Sequence, residues 1–237
     1  PECSLLALTD GTYVVPLATA QDHKRAYDDD KGPNTGGMGV YSPVPFVTDE
    51  ELSQMIAIEQ RVVDQLKKEG INYSGCLYGG FMLTKDGPKV LEFNARFGDP
   101  ETQVVLPRLE GDLVSILMAC DNGTLRHQQV SWSDTVAVSV VLASAGYPGS
   151  YEKGKEITGI EAVQQLEGVS VYHAGTAQTE DGKIVTAGGR VLNVTALAPT
   201  FEEARARAYE ACDLINFEGK QLRHDIGLKA LQGRPEK

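Results

Sequence analysis

Through the first half of the chain, apolar positions run in short strand-like stretches, lengthen to a helical period and shorten again, and these changes outline the elements. Residues 3–9 form an apolar run closed by Asp10-Gly11, and Thr12–Leu17 form a second, a pattern that predicts a β-hairpin turned on Asp-Gly. From there to Pro45 no period is visible, and the segment reads as a loop long enough to be a working one. At Thr48 the period lengthens. Thr48 and Glu51 form a capping box, and Leu52, Met55, Ile56, Val62, Val63 and Leu66 recur at helical spacing until Gly70 stops the helix. Cys76–Thr84 and Lys89–Asn94 read as strands joined through Lys85-Asp86-Gly87-Pro88, and a second helix is predicted from Asp112 to Gly123.

Periodicity lapses from Leu125 to Asp134, which predicts a boundary between a domain over 1–125 and another over 130–237. The second opens with Thr135–Ser144, a continuous apolar run suited to a buried strand, and turns at Gly146-Tyr147-Pro148-Gly149. Further strands are predicted at 169–174, 183–186 and 189–197, and Thr200 with Glu203 opens a helix running to about Ile215.

Composition narrows the class. The 237 residues are 41% hydrophobic and 23% charged, which is ordinary for a globular chain and excludes collagen-like, coiled-coil and disordered readings. A net charge of −11 raises no attraction for nucleic acid or an anionic membrane, so any bound phosphate must meet a local basic cluster. Cys3, Cys76, Cys120 and Cys212 form no CxxC pair, which argues against a disulfide framework or a zinc site and favours a reducing cytoplasm. No apolar stretch approaches the roughly 18 to 20 residues that span a bilayer. Pro1-Glu2-Cys3-Ser4 lacks a starting Met and runs straight into the first strand.

Two segments carry candidate chemistry. Alternation along Val90–Arg96 puts Leu91, Phe93 and Ala95 on one face, expected in the core, and Glu92, Asn94 and Arg96 on the other. A carboxylate, a carboxamide oxygen and a guanidinium in a row suit a magnesium ion with a phosphate clamped beside it, although such a triplet alone is more commonly a solvated surface pair. Phe97-Gly98-Asp99-Pro100-Glu101 follows, and a helix starting near Pro100 with Asp99 as its N-cap would add amide donors there. The other segment is Gln21-Asp22-His23-Lys24-Arg25, which either binds polyphosphate or neutralises Asp28, Asp29 and Asp30. The glycine-rich stretch Asn34–Gly39 matches neither a Walker A loop nor a dinucleotide fingerprint; its glycines admit a close ligand or, more commonly, positive φ angles. His173, Gly175, Thr176 and Arg190 read as turn and strand-end residues, and His127 and His224 have no identifiable partner.

Together, Ala20–Arg25 (AQDHKR), Gly32–Gly39 (GPNTGGMG), Lys89–Glu101 (KVLEFNARFGDPE) and Gly188–Val191 (GGRV) resemble the phosphoribosylamine-glycine ligase family, the glycinamide ribonucleotide synthetases of the ATP-grasp superfamily. The similarity runs in order from Glu2 to Arg223-His224-Asp225-Ile226-Gly227. It implies an α+β fold: the C-terminal half of an ATP-grasp domain, an antiparallel sheet with helices, followed by a small β-rich C-terminal domain. Implied substrates are glycine, 5-phosphoribosylamine and ATP, with magnesium or manganese, in a cytoplasmic enzyme that is monomeric when intact.

The resemblance assigns Glu92 and Asn94 to the metal, Arg96 and Lys24 to phosphate charge, and Asp22 and Asp99 to the amino groups of the substrates. Glu2 matches a glutamate just after the family's adenine-binding hinge; His23, Asn34, Thr35, Gly36, Gly37 and Gly39 complete the expected cofactor and substrate contacts. Two departures stand out. Family members carry a further N-terminal half, and a chain lacking it would expose an apolar patch and be catalytically incomplete. Tyr78–Thr84 also offers no acidic ligand of the kind many ATP-grasp enzymes place on that strand. Another ATP-grasp ligase would share Glu-x-Asn-x-Arg without the longer motifs.

Overall fold

The Asp10-Gly11 turn and the Thr48 cap form where the sequence predicts them. In the computed structural model, which describes residues 1–234, β1 (Glu2–Thr9) and β2 (Val14–Pro16) pair with Leu8 opposite Val15, and Gly11 takes the left-handed φ of 85° that the turn requires. The segment expected to be a loop instead holds β3 (Gln21–Asp22), β4 (Arg25–Tyr27), β5 (Lys31–Asn34) and β6 (Gly39–Ser42). Strands of two to four residues carry too few positions for a period to register, yet they satisfy backbone groups that a buried loop would leave unpaired.

Helix α1 (Asp49–Lys68) has both halves of its capping box, and β7 (Gly75–Thr84) and β8 (Gly87–Asn94) form the expected hairpin. The helix expected near Pro100 differs: α2 (Thr102–Val105) is a single turn, and Asp99 is not its N-cap. After β9 (Leu109–Glu110), α3 (Leu113–Asn122) starts on the Asp112 side chain and stops at Gly123, φ 75°. Then follow β10 (Ser131–Trp132), β11 (Val136–Ser144), α4 (Ile160–Val163), β12 (Val169–His173), β13 (Thr176–Gln178), β14 (Ile184–Thr186), β15 (Arg190–Ala198), α5 (Phe201–Leu214), β16 (Lys220–Gln221) and α6 (Leu228–Gln232).

The chain divides into two compact units, one of Pro1–Gln21, Ser42–Asp134 and the residues from Gly233, the other of Asp22–Tyr41 and Thr135–Gln232. The first holds a four-stranded antiparallel sheet ordered β2-β1-β7-β8, with Val63 of α1 packed on Ala7, Val14 and Leu77. Its edge strand departs from expectation. Gly80 stands opposite Glu92 and Phe81 opposite Val90, so Leu91 is the extra residue of a β-bulge and the alternation breaks there. Leu91 and Phe93, expected in the core, are 48% and 38% exposed, and Ala95 is exposed as well. The second unit is built on a six-stranded sheet ordered β12-β15-β11-β6-β3, with β16 beside β11. Small residues Ala204, Ala208 and Ala211 bury one face of α5, the helix that packs on β11 and β15.

Candidate functional site

Within the first unit, Glu92 and Asn94 lie two positions apart on β8, and the Asn94 amide donates to the Glu92 carboxylate at 3.4 Å. A Cβ placed on Gly80 would stand 3.3 Å from the Glu92 side chain and 3.6 Å from the Tyr78 ring. Both polar side chains therefore occupy the Tyr78 face of the sheet, opposite the face on which Gly79 meets Glu59 of α1. Tyr78 is buried, shares a 2.9 Å hydrogen bond with Ser4 Oγ, and donates to Glu101 Oε1 at 2.8 Å; Ser4 Oγ also donates to that oxygen at 3.3 Å. Arg96 is exposed and donates to the Phe97 carbonyl at 3.0 Å, and Asp99 accepts from Gln103 at 2.9 Å. The Glu2 carbonyl accepts from Gln21 at 2.6 Å.

A side-by-side pair of oxygen-bearing groups, Glu92 exposed and Asn94 half-buried, fits magnesium, which takes one or two protein ligands and completes its shell with water and phosphate oxygens. Among the described residues no group of three or more His, Cys, Asp or Glu side chains could hold a metal by itself.

Within the second unit, the basic segment and the glycine-rich loop form one ladder. Thr35 N and Thr35 Oγ1 donate to the Lys24 carbonyl at 2.7 and 2.9 Å, Met38 N donates to the His23 carbonyl at 2.8 Å, and His23 N donates to the Gly39 carbonyl at 2.9 Å. Two more of the loop's amides are used: Gly36 N donates to Tyr147 and Gly37 N to Thr35 Oγ1, both at 3.0 Å. Amides committed in this way are no cradle for phosphate. What the loop presents is the exposed Asn34 and Gly36, whereas Gly37 and Gly39, expected to contact a ligand, are buried. Asp22 accepts from His23 N at 2.6 Å.

His23 is 1% exposed, and burial lowers its pKa to about 3, so the ring is neutral and its Nδ1–H donates to the Gly39 carbonyl at 3.1 Å. It supports the segment and brings no cation to it. The acidic run finds its partners elsewhere: Asp30 pairs with Arg223 at 3.0 Å and Lys229 at 2.6 Å, and Asp28 accepts from His224 N at 2.7 Å. Asp30 is thus neutralised by Arg223 and Lys229, residues after 222, and Asp29 by the neighbouring Lys31 at 3.1 Å.

Two family profiles match the chain: "Phosphoribosylglycinamide synthetase, ATP-grasp (A) domain" over residues 1–102 and "Phosphoribosylglycinamide synthetase, C domain" over residues 137–229. The chain belongs to the phosphoribosylglycinamide synthetase family. Among its relatives, a phosphoribosylamine-glycine ligase of Caldanaerobacter subterraneus is 51% identical over 95% of this chain and 53% of its own length. The trifunctional purine biosynthetic protein adenosine-3 of Gallus gallus is 51% identical over 97% of this chain and 23% of its own length. A crystal structure of phosphoribosylamine-glycine ligase from Thermotoga maritima superposes with a TM-score of 0.85 at 39% identity, covering 95% of this chain and 55% of that one. The chain thus spans about half the length of the ligases it matches.

Three residues that hold these segments in place escape a reading of the sequence. Glu101, inside the motif, is buried and accepts from Tyr78 and Ser4. Arg190 of the GGRV motif donates to the Gly36 carbonyl at 2.7 Å, and Tyr147 holds the Gly36 amide. A Cβ at 36 would stand 3.0 Å from the Arg190 guanidinium, so a larger residue there would make that side chain move by a few tenths of an ångström. Only the pairing of distant motifs, GPNTGGMG with GGRV, hints at this in the sequence.

Proposed function

We propose that this chain serves the ATP-dependent joining of glycine to 5-phosphoribosylamine, giving glycinamide ribonucleotide, ADP and phosphate. The observation that carries it is the Glu92–Asn94 pair, hydrogen-bonded on one sheet face within the stretch that matches the ATP-grasp domain. A carboxylate is a poor acyl donor. In the proposed sequence a glycine carboxylate oxygen attacks the γ-phosphorus as the bond to ADP breaks. The phosphoribosylamine nitrogen then attacks the acyl carbon, phosphate departs, and the nitrogen loses a proton.

No protein nucleophile is needed, so the chain's residues act by positioning and by matching charge. Glu92 and Asn94 would hold magnesium or manganese, which when bound neutralises phosphate charge. Lys24 and Arg96 attract phosphate oxygens, and Asp22 and Asp99 take the substrate amines. Glu2, Asn34, Thr35 and the glycines at 36, 37 and 39 shape the cofactor and substrate contacts, with His23 behind them. Four cysteines without disulfides fit a reducing cytoplasm, and among the described residues no helix is long and apolar enough to cross a membrane.

The test is Glu92→Gln in an enzyme carrying the full length of the relatives. Phosphate release dependent on both glycine and phosphoribosylamine should fall roughly tenfold or more, with a higher magnesium requirement. An unchanged magnesium requirement would remove Glu92 from the metal.

A further inference from the structure

The turn between β4 and β5 holds two successive non-glycine residues in left-handed conformation, Asp29 at φ 59° and Asp30 at φ 52°. Aspartate enters this region more readily than most residues, and positive φ at both central positions is the geometry of a tight hairpin turn. Further contacts hold this turn, and they come from nearly two hundred residues later in the chain. Asp29 N donates to Asp225 Oδ2 at 3.0 Å, and Asp30 bridges Arg223 and Lys229.

Arg223 is the hub. Fully buried, it donates through Nε and Nη2 to both oxygens of Asp225 at 2.7 and 2.6 Å, and through Nη1 to Asp30 Oδ1 and to the Arg25 carbonyl, both at 3.0 Å. Burial opposes its charge, but the two carboxylates outweigh burial and hold the guanidinium ionised. Burial alone would likewise raise Asp225, and the guanidinium instead keeps that carboxyl well below the ordinary range. Both backbone carbonyls at the base of the hairpin are thereby taken: Lys24 by Thr35, Arg25 by Arg223.

We propose that Arg223 is a positioning residue that fixes the β4–β5 hairpin and thereby the placement of Lys24 and Asn34 at its base. The hairpin's fixation stands on the geometry alone; its consequence for ATP rests on the role given to Lys24 above. Lysine keeps the charge at 223 but lacks the planar fork that meets Asp225, Asp30 and the Arg25 carbonyl together.

The test is hydrogen exchange followed by mass spectrometry on the whole chain, comparing wild type with Arg223→Lys and with Lys229→Met, which removes only the outer end of the bridge. Peptides covering 24–35 should exchange roughly tenfold faster or more in the first variant and less so in the second, with β11 and α5 unchanged. Unchanged protection of 24–35, or a loss spread evenly over the second unit, overturns the proposal. Should Arg223→Lys not fold, Lys229→Met decides by the same criterion. In an enzyme of the relatives' full length, Arg223→Lys should raise the KM for ATP with little change in kcat, and add nothing to Lys24→Ala. Additive effects would break the link between Arg223 and Lys24, whereas no effect of Lys24→Ala would discard the role given to Lys24 and leave the exchange result to judge Arg223.

Discussion

Glu59 occupies the central place in the buried stripe of α1, one turn from Met55 and one from Val63, and it is fully buried. Its carboxyl fills space left by Gly79, where a Cβ would stand 2.6 Å from Oε1. Burial raises its pKa from 4.5 to about 9, the Gly79 backbone offsets this only in part, and among the described residues neither oxygen has a hydrogen bond of normal geometry. The folded state therefore keeps a proton that the unfolded chain loses above pH 4.5. This contribution to stability is complete below that value and declines as pH rises, by about 1.4 kcal/mol per pH unit, up to about 9. Glu59→Met, which keeps the volume and removes the unpaired group, should raise stability at neutral pH by about 1–3 kcal/mol and flatten that slope. Urea unfolding at several pH values checks it; an unaltered slope would show that Glu59 titrates normally.

At the scale of elements, the turns and caps are where local sequence and tertiary packing can be separated. Gly123 and Gly39 both need positive φ, at 75° and 155°, but a Cβ on Gly123 meets nothing within 4 Å, while one on Gly39 meets Ile226 at 2.7 Å. Gly123→Ala should cost about 1 kcal/mol from backbone conformation alone. Gly39→Ala should cost more, about 2–4 kcal/mol, because the core must also yield around Ile226. Thermal unfolding of the two variants gives the order, and equal losses would show that packing at Gly39 is slack. Sequence showed α1, α3, α5, β1, β7 and β11 because each carries a full period or a cap. It did not show β3 to β6, which at two to four residues are too short to carry a period, even though β4 and β5 pair with each other across a short turn.

At the scale of the whole molecule, half the length of the relatives lies outside this chain, and the chemistry proposed needs both substrates held in place with water excluded from an acyl phosphate. This chain alone should show no glycine- and phosphoribosylamine-dependent phosphate release until the remaining part of the relatives' length is added. Turnover by the chain alone near that of a full-length enzyme would show that the rest contributes little. The sequence by itself determined the family, through long motifs, and the polar pair Glu92 and Asn94, whose spacing of two places them on one strand face whatever the fold. Tertiary structure alone decided that Leu91 and Phe93 are exposed, since Leu91 is the extra residue of a bulge and Phe93 stands on the edge strand of its sheet. It alone assigned Asp28 and Asp30 to Arg223, His224 and Lys229, and placed a neutral histidine behind the basic segment, because pairing across nearly two hundred residues and the loss of water around a ring are properties of the folded chain, with no trace in local order.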